Sequence, residues 1–218
     1  MFEIMKAAQS EKMVLPESDL PLINAQALTE LTAEDVFTFR VAACTDEVDR
    51  DFERFPVETL EKMAPMFVGR TMICDHNWSA GNQQARIYKA EVDELDGMHR
   101  LVVSCYMLNN VSNSDTIAAI KGGILKEVSV GCAITRARCS ICGKDPYEPC
   151  PHCKGQVYNG QVCHYDLLDP ADAYELSFVA VPAQPKASVI KSKNNSCWTS
   201  AELSTAKAQL HDETERWK

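Results

Sequence analysis

Apolar and polar residues alternate from Val36 to Ala43, reading Val-Phe-Thr-Phe-Arg-Val-Ala-Ala, which predicts a strand with one buried face. Thr71 to Cys74 is a short apolar run, read as a buried strand that delivers Asp75-His76-Asn77-Trp78 at its end. The clearest hairpin follows. Tyr88, Ala90 and Val92 alternate with Lys89, Glu91 and Asp93, Asp96-Gly97 turns the chain, and Leu101 to Met107 returns. After Gly122-Gly123 the alternation resumes, with Val128, Val130, Cys132 and Ile134 on one face and Ser129, Gly131 and Ala133 on the other. A last strand is predicted from Tyr174 to Val181, ended by Pro182 and Pro185.

Helical spacing is confined to shorter stretches. Pro56 opens one helix, with Val57, Leu60 and Met63 or Ala64 on its apolar stripe and Pro65 as its end. Ser112 begins the next, with Asp115 as its capping partner, Ile117 and Ile120 buried, and Gly122-Gly123 as its stop. A C-terminal helix is signalled by Thr199 and Glu202 as a capping box, with Trp198 and Leu203 placed for a hydrophobic staple. Its stripe is Leu203, Ala206, Leu210 and Trp217. The expected fold is α+β, a small antiparallel β-barrel or sheet surrounded by a few helices. Residues 1–33 form an irregular lead-in, 34–190 the main domain, and 191–218 a linker and terminal helix.

Composition narrows the class. A chain of 218 residues, 45% hydrophobic, can bury a sizeable core. A net charge of -9 argues against nucleic acid as a partner, because binding its phosphates needs a clustered basic surface. No apolar run reaches the length of a membrane span, and Glu3, Lys6 and Gln9 interrupt the N-terminus where a signal peptide would be apolar. The expectation is a cytoplasmic protein, and its ten cysteines then read as reduced thiols or metal ligands.

Those cysteines concentrate in an insertion from 139 to 163. Cys139-Ser140-Ile141-Cys142 and Cys150-Pro151-His152-Cys153 are paired C-x2-C knuckles, a spacing that offers four thiolates to one tetrahedral Zn²⁺. The predicted ligands are Cys139, Cys142, Cys150 and Cys153, with His152, Cys163 and His164 as further candidates. Four such ligands leave no position for water, so the zinc is expected to be structural. An irregular insertion of this length needs a staple to stay ordered.

Two residues stand out for chemistry. His76 lies at the mouth of a strand, and Ser129 carries the single hydroxyl on a face otherwise lined by glycine and alanine, which leaves room for a second chain or a base. The surrounding segments resemble the caudovirus prohead proteases, the serine proteases of capsid maturation, distantly similar to the herpesvirus assemblins. Asp49-Arg50-Asp51-Phe52-Glu53-Arg54-Phe55-Pro56 resembles that family's early run. Ile73-Cys74-Asp75-His76-Asn77-Trp78 resembles its histidine segment, and Glu127-Val128-Ser129-Val130-Gly131 its serine segment. Ala173-Tyr174-Glu175-Leu176-Ser177-Phe178-Val179, running on to Pro182-Ala183, resembles its closing strand. The matches fall in family order across roughly residues 31–190.

The resemblance implies a serine endopeptidase with Ser129 as nucleophile, His76 as general base and then acid, and Glu175 as the group that orients the imidazole. In the assemblins the third member is a histidine. The implied substrates are the scaffold or the scaffolding segment of the major capsid protein, and the protease itself, cut inside an assembling prohead. No cofactor is needed for catalysis, and a homo-oligomer is compatible with the reading. The G-x-S-x-G elbow is missing, which disfavours an α/β-hydrolase. The competing expectation from another class is a non-catalytic, zinc-stabilised module that binds scaffold or other prohead proteins.

Overall fold

The computed structural model describes residues 15–146 and 148–190. The expected C-terminal helix lies outside them. In chain order the elements are α1 (Leu20–Asn24), β1 (Val36–Thr45), β2 (Glu53–Arg54), α2 (Val57–Phe67), β3 (Thr71–Cys74), β4 (Ala85–Leu95) and β5 (Met98–Leu108). There follow α3 (Ser114–Lys121), β6 (Val128–Cys139), β7 (Val157–Tyr158), β8 (Gln161–Val162), β9 (Tyr165–Phe178) and β10 (Ser188–Ile190). The fold is mixed α+β and mostly strand, with an eight-stranded sheet ordered β10-β1-β5-β4-β3-β9-β2 and β6 on the other side of β9.

The sheet is mixed, where the sequence pattern suggested an antiparallel one. β3 and β2 both run parallel to β9, while the remaining pairings are antiparallel. Alternation reports which face of a strand is buried and carries no information about the direction of its neighbour. The sheet is open by strand pairing, yet its margins meet. Glu127 bridges Ser188, and Val189 N–H donates to the Lys126 carbonyl at 2.8 Å, tying the start of β6 to β10. Ser188 and Val189, at the end of the expected main domain, are strand residues paired with β1.

α2 covers the sheet with Leu60, Met63 and Phe67, all fully buried. It continues past Pro65, which had been expected to end it. Proline removes one N–H and its hydrogen bond, but burial of Phe67 two residues further on is worth about 2 kcal/mol and favours keeping the last turn. Thr59 anchors the helix by donating its hydroxyl to the Leu167 carbonyl of β9 at 2.9 Å. The helix before β6 also starts later than expected, since a short 3₁₀ turn occupies Val111–Asn113 and the Asn110 side chain caps it. In the lead-in, α1 buries Ile23 completely.

β9 organises the rest. It begins at Tyr165, well before the expected Tyr174, and is irregular against β6. Gly131 faces Glu175 but Cys132 faces Ala173, so Tyr174 is an extra residue, and a second shift lies between Ala133 and Ile134. A bulge of this kind turns a side chain out of the face that alternation would assign it. Tyr174 is accordingly exposed, not paired with Leu176 and Phe178 in the core, while Ala173 is fully buried. Among the described residues no helix is long and apolar enough to cross a membrane.

Candidate active site and metal centre

The parallel pairing of β3 with β9 sets Ile73 beside Ser177 and Thr71 beside Glu175. Beyond Cys74 the chain reverses through Asp75 and His76, with φ of 54° and 51°. Two successive positive φ angles and the Asn77 N–H donated to the Cys74 carbonyl at 3.1 Å define a tight primed turn. Non-glycine residues in this region are strained, so contacts from β9 must hold them. Asp75 N–H donates to the Phe178 carbonyl at 2.9 Å, and His76 N–H donates to Ser177 Oγ at 2.9 Å.

Held this way, the His76 ring meets Glu175, with Nδ1 2.7 Å from Oε1. Glu175 is 2% exposed and the His76 side chain 42%, so the carboxylate is inside and the imidazole faces outward. A buried carboxylate accepts the hydrogen at Nδ1, which leaves Nε2 as the basic nitrogen. The other carboxylate oxygen, Oε2, is buried without a partner among the described residues. Among the described residues, the one cationic candidate in contact with this carboxylate is the histidine itself.

β6 supplies the third group. Ser129 lies opposite Ser177 and Gly131 opposite Glu175, so the Ser129 side chain shares the face of β9 that carries the His76–Glu175 pair. Gly131 is required by Glu175. A Cβ at Gly131 would sit 3.1 Å from Glu175 Cδ and closer still to Oε1, so the carboxylate occupies the space a side chain would fill. Among the described residues no hydrogen bond joins Ser129 to the His76 ring. Catalytic hydroxyl–imidazole contacts are often long in structures without substrate. The three sequence candidates thus occupy one corner of the sheet, with His76 and Glu175 in contact and Ser129 on the adjoining strand. Ser177, whose hydroxyl positions the histidine backbone, was not singled out in the sequence. Its signal was the Glu-x-Ser spacing, which places it on Glu175's face.

The second centre lies at the far ends of β6 and β9. Cys139, Cys142, Cys150 and His152 bring one ligand atom each within 4.8 Å of one another, a group that could hold a metal ion such as zinc. The Cys142 and Cys150 sulfurs are 3.5 Å apart, and His152 Nδ1 is 3.8 Å from Cys150 Sγ. These separations suit ligands sharing one tetrahedral ion with sulfur bonds near 2.3 Å. Ile141 N–H points at Cys139 Sγ at 3.4 Å, and the chain turns out of the first knuckle through Gly143 at φ 73°. Burial pushes the Cys139 thiol up, but the Cys142 and Ile141 backbone N–H groups outweigh it and hold the thiol below its ordinary value, which favours the thiolate a metal needs.

This set differs from the expected one at its fourth member. Cys153 is exposed and outside the group, and its N–H donates to Tyr158 Oη at 3.0 Å. The His152 ring meets Tyr158 edge-on at 4.5 Å, and the His152 carbonyl accepts Tyr165 Oη at 2.8 Å. These contacts turn the imidazole inward and the neighbouring thiol out. Cys163 is fully buried with its sulfur 3.8 Å from Cys139 Sγ, beside the group. The insertion is tied to the sheet by the Lys154–Glu53 ion pair at 2.6 Å and by Phe52, whose ring leaves room only for glycine at 155.

No family model matches the chain, and neither curated proteins nor solved structures yield a significant match.

Proposed function

We propose that the protein is a serine endopeptidase whose substrates are scaffold protein or the scaffolding segment of a capsid protein, and the protease itself, during prohead maturation. The observation that carries the reading is the 2.7 Å contact between His76 and the buried Glu175, set on the face of β9 that Ser129 shares. The substrate class comes from the motif resemblance. In the reaction, Ser129 Oγ attacks the scissile carbonyl while His76 Nε2 takes its proton, and the same proton is then delivered to the leaving amine. Glu175 keeps the hydrogen on Nδ1 and stabilises the imidazolium formed at each transfer. Water then repeats the sequence on the acyl-enzyme, with His76 again as base, and releases Ser129.

The metal centre takes a structural role in this reading. Cys139 ends β6 and Tyr165 begins β9 opposite it, so an ion held by Cys139, Cys142, Cys150 and His152 closes the open ends of the two strands that carry Ser129 and Glu175. Four protein ligands leave it no position for water. The test is labelling by an alkyl fluorophosphonate, which captures only an activated serine. Wild type is expected to label stoichiometrically and Ser129→Ala and His76→Ala not at all. A folded wild-type protein that takes no label, and processes no co-expressed capsid or scaffold protein, overturns the reading in favour of a binding module.

A further inference from the structure

Trp78 is 70% exposed, and Tyr174 beside it is 41% exposed. Their rings meet edge-on with centroids 5.4 Å apart. One follows His76 by two residues and the other immediately precedes Glu175, so both elements of the proposed dyad carry an aromatic ring out to the same exposed spot.

Neither ring is there for the core. Tyr174 is the bulged residue of β9, expelled from the face that buries Leu176 and Phe178. Trp78 stands on a loop held in a fixed shape. Asn82 Nδ2 donates to the Cys74 carbonyl at 2.8 Å and to the Asn77 carbonyl at 2.9 Å, and Ser79 N–H donates to the Asn77 carbonyl at 2.8 Å. A loop this well pinned would serve stability by turning its largest apolar side chain inward. Instead it presents an indole to solvent, braced by one neighbouring ring. Rigid aromatic side chains with uncovered apolar area lose little entropy on binding, which is the property of a recognition surface.

We propose that Trp78 and Tyr174 form a shelf that binds one bulky apolar side chain of the polypeptide substrate next to the scissile bond, and so set cleavage specificity. The assignment rests on the endopeptidase reading. It commits to a substrate side chain as occupant because the shelf is continuous in sequence and in space with the histidine turn. An extended chain whose carbonyl sits between Ser129 and His76 carries its nearest side chains within a few ångströms of that turn, since neighbouring residues of an extended chain are about 3.3 Å apart. Asp75, in the same turn, disfavours an acidic side chain.

The experiment is digestion of a peptide library varied at the positions flanking the scissile bond, by wild type, Trp78→Ala, Tyr174→Ala and Trp78→Phe. For wild type, kcat/KM is expected to favour leucine, methionine or phenylalanine over alanine at one flanking position by roughly tenfold or more. Trp78→Ala should collapse that ratio towards one, Tyr174→Ala should lower it in part, and Trp78→Phe should restore most of it. Thermal unfolding separates this from a folding defect, because truncating an exposed side chain should barely move the midpoint. A wild type that cleaves without apolar preference, or a Trp78→Ala protein that keeps the wild-type ratio, overturns the shelf while leaving the endopeptidase standing. A wild type that cuts nothing and takes no fluorophosphonate label removes the endopeptidase, and the shelf with it.

Discussion

Glu175 directs one carboxylate oxygen at His76 Nδ1 from 2.7 Å and, among the described residues, keeps the other buried without a partner. Uncompensated burial of a carboxylate costs several kcal/mol, so a position of this kind is retained only where the charge is used. In the proposed mechanism, a histidine that becomes positively charged during turnover is such a use. The predicted signature is a variant that folds well and works badly. Glu175→Gln should unfold at a temperature equal to or above wild type, because a neutral amide is cheaper to bury. Its kcat for peptide cleavage should fall by about 10³-fold with little change in KM, as expected when the base loses its orienting charge.

Gly131 offers an independent test of the same geometry from the opposite strand. A methyl group there meets the Glu175 carboxylate, which lies only 3.1 Å away at Cδ. Gly131→Ala should therefore push the carboxylate off the imidazole while leaving β6 paired. Fluorophosphonate labelling of Ser129 should slow at least tenfold, with destabilisation of about 1–3 kcal/mol from overpacking in urea unfolding. Wild-type labelling by a folded Gly131→Ala protein would show that Glu175 does not act through His76.

The metal centre predicts an asymmetric pattern among the cysteine variants. Metal analysis of protein purified without chelators should find about one zinc per chain. Cys139→Ser and His152→Ala should lose it and destabilise the insertion. Cys153→Ser, although it removes half of a C-x2-C knuckle, should keep the metal and unfold like wild type. Equal loss of zinc in His152→Ala and Cys153→Ser would mean that the second knuckle rearranges around the ion.

How far the sequence reaches is clearest along β9. The face that Glu175 and Ser177 share was legible, because both lie opposite Leu176 and alternation shows that directly. The length and partners of the strand were not. Tyr165 to Ala173 carries Asp166, Asp169, Pro170 and Asp172, a composition that reads as loop, and becomes strand only because β6, Arg54 and Arg138 stand beside it. The bulge at Tyr174 could not be foreseen either, since it depends on the register of a strand some 40 residues away. The hairpin of β4 and β5 turns at the expected Asp96-Gly97, but a bulge between Ile87 and Lys89 takes Tyr88 off the face of Ala90 and Val92 and packs it with Ile23. His152, and not Cys153, joins the group that could hold a metal ion, and its segment is held by contacts with Tyr158 and Tyr165 that spacing alone does not encode.

Asp166 closes the same region from the other side and makes its stability depend on pH. Its carboxylate, 3% exposed, accepts from Arg54 Nε at 2.6 Å and from Arg138 at 2.8 Å, with His164 Nε2 3.6 Å away. Burial alone would raise its pKa, but the two guanidinium groups outweigh it and hold the carboxyl below its ordinary value. A folded-state pKa below the unfolded one means that the native state binds the proton less readily. The stabilisation is then fully present above about pH 4, the unfolded value, and is lost as pH falls through the lower folded value. Both arginines are more than a third exposed at their side chains, so solvent screens the pair and the net loss in Asp166→Asn should be near 2 kcal/mol, below that of a fully buried pair. Urea unfolding of wild type and Asp166→Asn across pH 2.5–7 checks this. The gap between the two should be constant from pH 5 upward and should narrow below pH 4. A gap that stays constant down to the lowest pH would show that the variant acts through packing and not through the charge.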